Sequence, residues 1–207
     1  MSLWVGTAML CITAIGLKVG VPICGQHIAR RDISQANGMA GTRRWELRWL
    51  DSWVGRSRMC VLEEITWVNL EDTPADDATL RNFAWLKGLT DLRVEGTDVG
   101  DEGLSRLKDL KELTLLGLGG TKVTDAGLVH LKQLSRLRVL DLSRTRVTDG
   151  GLQHLAGMTA LKELSLHHTH VTAVGVERLM LAVPEVSVNG APSPIERGAS
   201  GRAYMKR

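Results

Sequence analysis

Three histidines, His167, His168 and His170, stand within four residues, and neutral imidazole is a common ligand for zinc, copper and nickel. Their spacing argues against that chemistry. A strand sends His167 and His168 to opposite sides, no Cys or Asp is near in sequence to complete a set, and zinc needs three protein ligands in a catalytic site and four in a structural one. His130 and His154 recur as surface residues. Cys11, Cys24 and Cys60 give neither a C-x-x-C spacing nor a paired framework. The run Gly117 to Lys122 (GLGGTK) lacks the G-x-x-x-x-G-K-[ST] order that wraps amides around phosphate. Ser, His and Asp are scattered, so no nucleophile has an ordered base. The sequence predicts a chain that is no enzyme, with no cofactor and no metal ligand among its candidate sites.

What organises these residues is a repeat. Thr73, Thr97, Thr121, Thr145 and Thr169 are spaced 24 residues apart without a slip. Apolar residues return eight places before each Thr (Ile65, Leu89, Leu113, Leu137, Leu161), five before (Val68, Leu92, Leu116, Leu140, Leu164) and three before (Leu70, Val94, Leu118, Leu142, Leu166). They also return two, seven and ten places after it. A fixed period of this size with apolar residues in a fixed phase marks a solenoid that stacks one short unit on the next.

Within a unit, Leu-x-x-Leu-x-Leu has the alternation of a short strand, and the residues after Thr change to helical spacing, as at Leu128, Leu131 and Leu134. Asp76, Gly100, Thr124, Thr148 and Thr172, three places after each Thr, are acceptable helix N-caps. Asp77, Asp101, Asp125 and Asp149 follow, with Ala173 the exception, and an acid in the first turn suits the helix dipole. A hydroxyl inside a core costs free energy unless paired, so the Thr column is expected to bridge backbone groups of neighbouring units.

Residues from about 59 to 188 resemble a leucine-rich repeat array, specifically the 24-residue bacterial kind reading L-x-x-L-x-L-x-x-T-x-V-T-D-x-G-L. Thr121 to Leu128 (TKVTDAGL) and Thr145 to Leu152 (TRVTDGGL) fit it fully, while the outer units are looser. The resemblance implies an α/β solenoid of about five strand-turn-helix repeats with a parallel sheet on the concave face. It also implies a role in binding rather than catalysis. The closing strand, Val186 to Val188, reads as about two residues early after Pro184.

The chain divides into an apolar membrane anchor or signal-like segment (1–26), an N-terminal helical cap (27–58), the solenoid (59–188) and a disordered basic tail (189–207). Residues 3–24 are interrupted only by Lys18, and about 20 apolar residues suffice to cross a bilayer. With Arg30, Arg31, Arg43 and Arg44 just beyond, the positive-inside rule places the repeats in the cytoplasm of a single-pass protein. In the cap, residues 27–38 read as a helix stopped by Asn37-Gly38. Trp45, Trp49 and Trp53 follow at helical spacing as a lid over the first repeat. A net charge of +3 over 207 residues lacks the Lys and Arg stripe expected of a nucleic-acid binder.

Function must then lie in strand residues that point away from the core. The candidates for a protein-binding concave face are Trp67, Asn69, Glu71, Asp91, Arg93, Glu95, Gly117, Asp141, Arg144, Ser165, His167 and His168. This face is acidic at its start and basic at its end, and its middle, Gly117, Gly119 and Gly120, lets another backbone approach. Five strands about 4.8 Å apart make a strip roughly 19 Å wide, enough for a peptide or loop. The favoured reading is a protein-protein interaction module, a scaffold or adaptor, tethered to a membrane. Its alternatives are a structural or envelope-associated protein without a dedicated ligand, and a metal- or carbohydrate-binding site at the C-terminal histidines.

Overall fold

In a computed structural model, residues 26, 28–44, 63–190, 196–197 and 203–204 are described. A helix over 28–35 (α1) leads into strand β1 (Met39–Arg44), followed by β2 (Glu63–Asn69) and a 3-10 helix at Thr79–Trp85. Then strands alternate with helices: β3 (Asp91–Arg93), α2 (Asp101–Leu107), β4 (Leu115–Gly117), α3 (Asp125–Leu128) with a 3-10 turn at Val129–Gln133, and β5 (Val139–Asp141). The series closes with α4 (Asp149–Leu152), β6 (Glu163–Ser165), α5 (Ala173–Ala182) and β7 (Ser187–Asn189). A small antiparallel pair, β8 (Glu196–Arg197) and β9 (Ala203–Tyr204), lies outside this series.

The seven strands form one sheet in chain order, and β2 to β7 are all parallel. Val68, Leu92, Leu116, Leu140, Leu164 and Val188 sit side by side in register, one from each rung of an α/β solenoid. The alternation read from the sequence is what makes this possible: the middle residue of each short strand points inward and its neighbours outward. Leu92, Leu116, Leu140 and Leu164 are fully buried. Each contributes roughly 1.5 to 3 kcal/mol of transfer free energy. The helical side adds a further buried row, Leu86, Leu110, Leu134 and Met158. Its helices are short because 24 residues must also supply a strand and two turns.

The recurring Thr does not bridge units as the sequence suggested. Its Oγ1 donates to the carbonyl three residues back in its own rung: Thr73 to Leu70 (2.7 Å), Thr97 to Val94 (2.6 Å), Thr121 to Leu118 (2.7 Å), Thr145 to Leu142 (2.6 Å) and Thr169 to Leu166 (2.9 Å). The turn brings that carbonyl within reach, so the hydroxyl closes the corner locally. Thr97, Thr121 and Thr145 are buried, and the bond answers the desolvation of the hydroxyl.

The bridge between units belongs to the T-D-x-G segment instead. Asp101 accepts from Thr124 of the next rung through both N–H (2.9 Å) and Oγ1 (2.7 Å). Asp125 does the same with Thr148 (2.8 and 2.5 Å), and Asp149 with Thr172 (2.7 and 2.6 Å). Each of those Thr hydroxyls also caps its own helix, accepting from Ala126, Gly150 or Gly175 N–H. The glycine completes the unit, because a Cβ at Gly127, Gly151 or Gly175 would meet the Asp reaching over from the rung before. Acid, hydroxyl and empty space are therefore one interlocking device.

Both ends differ from the sequence reading. Helix α1 ends at Asn37 (φ 58°) and Gly38, with Ala29, Ile33 and Ala36 buried against the first rung. Residues 39–44, which fell within the expected helical cap, form instead an antiparallel edge strand on β2 with a bulge between Gly41 and Thr42. Pairing with β2 satisfies backbone groups that the first rung would otherwise leave open. At the other end the closing strand is Ser187–Asn189, with Val188 opposite Leu164. It keeps the 24-residue step rather than arriving early, and Val186 is an added buried residue. The tryptophan lid at Trp45, Trp49 and Trp53 and the apolar segment 3–24 lie outside the described residues. Among the described residues no helix is long and apolar enough to cross a membrane.

Gly100 stands where later rungs have Thr, and its N–H alone bonds Asp77 (2.7 Å). Its backbone (φ −124°, ψ −159°) matches Thr124 (φ −125°, ψ −177°), and a Cβ there would meet nothing closer than 3.5 Å. Gly100→Thr should therefore add the missing cap and stabilise the chain by roughly a few tenths of a kcal/mol in urea denaturation; a lower midpoint would refute this account of the motif.

Candidate functional site: the exposed sheet face and its loop rim

The parallel register sorts the candidate residues into rows across the exposed, concave side of the sheet. One row runs Trp67, Asp91, Leu115, Val139, Glu163 and Ser187, and the next Asn69, Arg93, Gly117, Asp141, Ser165 and Asn189. Beyond the strands, Glu71 and Glu95 occupy equivalent positions, as does His167 further along. The predicted face thus assembles from residues 24 apart. The Trp67 indole rests on Gly41 of β1, where any Cβ would collide with the ring, and remains 43% exposed.

Some candidates are explained by local structure. Asn69 Oδ1 accepts from Glu71 N–H (2.8 Å), and Asp141 Oδ1 accepts from Ser143 N–H (2.8 Å) and Oγ (2.6 Å). These Asx turns end their strands. Asp91 accepts from Thr90 Oγ1 (2.5 Å). Thr90 and Thr114 also donate to carbonyls one rung back (2.9 and 3.1 Å), which is the bridging role wrongly assigned to the other Thr column.

Glu95 is not explained in this way. Its half-buried side chain crosses the strand below so that Oε1 occupies the place of a Cβ on Gly117. Its Oε2 is buried with no hydrogen-bond partner among the described residues. Burial pushes the Glu95 carboxyl above its ordinary value; its own backbone N–H pulls the other way, Glu71 adds repulsion, Arg93 relieves part of it and Asp141 adds more. Sequence reasoning placed Glu95 on this face, but its unsatisfied oxygen follows from the missing side chain at Gly117 one rung away.

The loop rim has a feature absent from the sequence reading. The residue before each recurring Thr adopts the left-handed conformation: Asp72 (φ 53°), Gly96 (68°), Gly120 (70°), Arg144 (57°) and His168 (57°). The tight corner demands it, and a side chain there costs about 1 kcal/mol relative to glycine. His167, His168 and His170 are all exposed. Among the described residues no three His, Cys, Asp or Glu converge as a metal would need.

A polar cleft of about 380 Å³ lies between α1 and the 3-10 helix, lined in part by Asp32, Gln35, Asp76, Arg81 and Asn82. Asn82 Nδ2 donates to Asp32 (2.7 Å). Thr79 donates to Asp76 through N–H and Oγ1 (both 3.0 Å), which holds the Asp76 carboxyl below its ordinary range. The Asn82–Asp32 bond ties the cap to the first rung, and the Thr79–Asp76 bonds hold the turn within that rung.

A family model described as Leucine Rich repeat matches residues 89–108 and 133–156. None of the curated proteins matches the sequence. Among solved structures, the leucine-rich repeat ectodomain of the receptor kinase SOBIR1 from Arabidopsis thaliana is similar at a TM-score of 0.50 and 13% identity, over 82% of this chain and 94% of that one. An internalin from Listeria monocytogenes is similar at a TM-score of 0.47 and 25% identity, over 53% of this chain but only 30% of that one. The first likeness shows the fold, a leucine-rich repeat solenoid; the second adds no argument.

The raised Glu95 value has a definite sign. Above the ordinary value of 4.5 the unfolded chain ionises first, so stability falls as pH rises through the window up to the raised folded value, and above it the loss stays constant. Glu95→Gln should raise the urea midpoint at pH 7, with the gain vanishing below pH 4.5. An equal gain at both pH values would show that the carboxylate is not the cause.

Proposed function

We propose that this leucine-rich repeat protein is a non-enzymatic interaction module whose exposed sheet face holds a protein or peptide, with Glu95 receiving a cationic side chain of that partner. The observation that carries the reading is the Glu95 carboxylate, half-buried with an oxygen that has no donor. Such a group is costly, and turning it toward a Lys or Arg of a partner would satisfy it with a charge-assisted bond. Glu71 beside it adds to the attraction. Gly117 is buried beneath the Glu95 side chain, contrary to the sequence expectation, while the more open Gly119 and Gly120 leave room for the partner's backbone, and Trp67 offers a flat, partly exposed ring of the kind that anchors interfaces.

Peptides selected against the full chain from a random displayed library should be enriched in Lys and Arg. They should lose at least about tenfold in affinity, or 1.4 kcal/mol, toward the variant carrying Glu71→Lys and Glu95→Lys. Selected peptides that bind the reversed variant as tightly would remove the face from consideration. Glu102→Lys with Glu177→Lys, exposed on helices α2 and α5, serves as the charge-matched control.

We also propose that residues 3–24 tether the array to a membrane with the repeats on its cytoplasmic side. What supports this is the apolar run itself and the arginines beyond it. Ile12→Arg with Ile15→Arg should move the full chain from the membrane pellet to the supernatant on fractionation; unchanged partitioning would refute the tether.

A further inference from the structure

Arg144 and His168 share the left-handed corner position that glycine fills at Gly96 and Gly120. They occupy it in adjacent rungs, about 4.8 Å apart by the spacing of paired strands, with Arg144 N–H bonded to His167 O (2.6 Å). Both side chains are exposed, and neither has a hydrogen-bond or ion-pair partner among the described residues. Strain kept without any internal contact to offset it marks a position whose side chain serves something outside the fold.

Their surroundings give the sign of that something. Two places further on, Arg146 and His170 repeat the pattern, and both are exposed, as is His167. Asp141, Asp125 and Asp149 accept hydrogen bonds from Ser143, Thr148 and Thr172 and form no ion pair with these cations among the described residues. Toward the first rung the sign reverses. Lys122 is ion-paired with Asp98 (2.7 Å), and beyond it stand Glu95, Asp72 and Glu71. The basic stretch therefore spans two rungs only.

We infer that the loop rim of the fourth and fifth rungs is a docking site for an acidic peptide segment, with Arg144 and His168 as its paired carboxylate contacts. Alternate side chains of an extended peptide lie roughly 6.6–6.8 Å apart on one side, close enough for two acids to reach the guanidinium and the imidazole together. Arginine adds bidentate geometry to the charge. A long polyanion fits less well, since its next charges would meet Asp98 and Glu95. This site goes beyond the sheet-face reading and does not depend on it, because Glu71 and Glu95 lie at the opposite end of the rim.

The test uses the full chain and fluorescence anisotropy with a labelled peptide alternating Glu and Gly, and its Lys-Gly counterpart. The double variant Arg144→Gly, His168→Gly should melt a few degrees higher, since corner strain is relieved, yet bind the acidic peptide at least about tenfold more weakly. The Lys counterpart, which the Glu71 and Glu95 face would take, should bind wild type and double variant equally. A control that removes at least as much charge, Lys108→Gln with Lys132→Gln on the helical side, should leave binding unchanged. The inference is overturned if the double variant keeps wild-type affinity or if the control loses as much. It is likewise overturned if a single-stranded oligonucleotide of equal charge displaces the peptide at lower concentration than the peptide itself.

Discussion

Every buried polar group between one rung and the next has to find its partner across a gap of a single strand spacing, and the T-D-x-G segment is how this chain meets that demand. Asp101, Asp125 and Asp149 each take two donors from the Thr of the following rung. That Thr turns its other lone pair to the start of its own helix, and the glycine three residues beyond the Thr clears the path for the Asp. None of the three residues works alone: without the glycine the Asp cannot approach, and without the Asp the Thr N–H is an orphan at a helix start. The apolar column supplies most of the driving force, but this polar lattice fixes the step at which the columns repeat.

Because the step is fixed, the exposed face is determined by register. Residues 24 apart become neighbours, so a glycine in one rung decides the environment of a glutamate in the rung before, as at Gly117 and Glu95. The same logic governs the rim. The tight corner after each strand forces left-handed backbone at one position per rung, and what stands there varies from Asp72 through two glycines to Arg144 and His168. Function on such a scaffold resides in these departures from the repeat, while the repeat itself is about packing.

Much of the scaffold was legible beforehand. The strands at Leu92, Leu116, Leu140 and Leu164, the caps at Thr124, Thr148 and Thr172, and the rows of outward residues all follow from periodicity. The misreadings share a cause. The Thr column was given to neighbouring units because a buried hydroxyl needs a partner, yet sequence does not say which of several carbonyls a corner brings close. Strand β1 pairs antiparallel with β2 through Met39–Arg44 (MAGTRR), a stretch with little apolar alternation that takes its conformation from the open edge beside it. Val186 to Val188 reads as an early strand after Pro184, and only the pairing of Val188 with Leu164 shows that the step is kept.

The order of residue types along the chain determined the class of fold, the phase of its core and the identity of the outward side chains, since periods of two and of 24 are properties of the string. Tertiary structure alone decided three things: that Glu95 has an oxygen without a donor, that Asn69 and Asp141 spend theirs on local turns, and that Arg144 and His168 sit in strained corners. Each depends on the distance between atoms in different rungs or on a backbone angle at a turn. Neither quantity is written in any single repeat; both arise when consecutive rungs are stacked and the chain must close the corner between them.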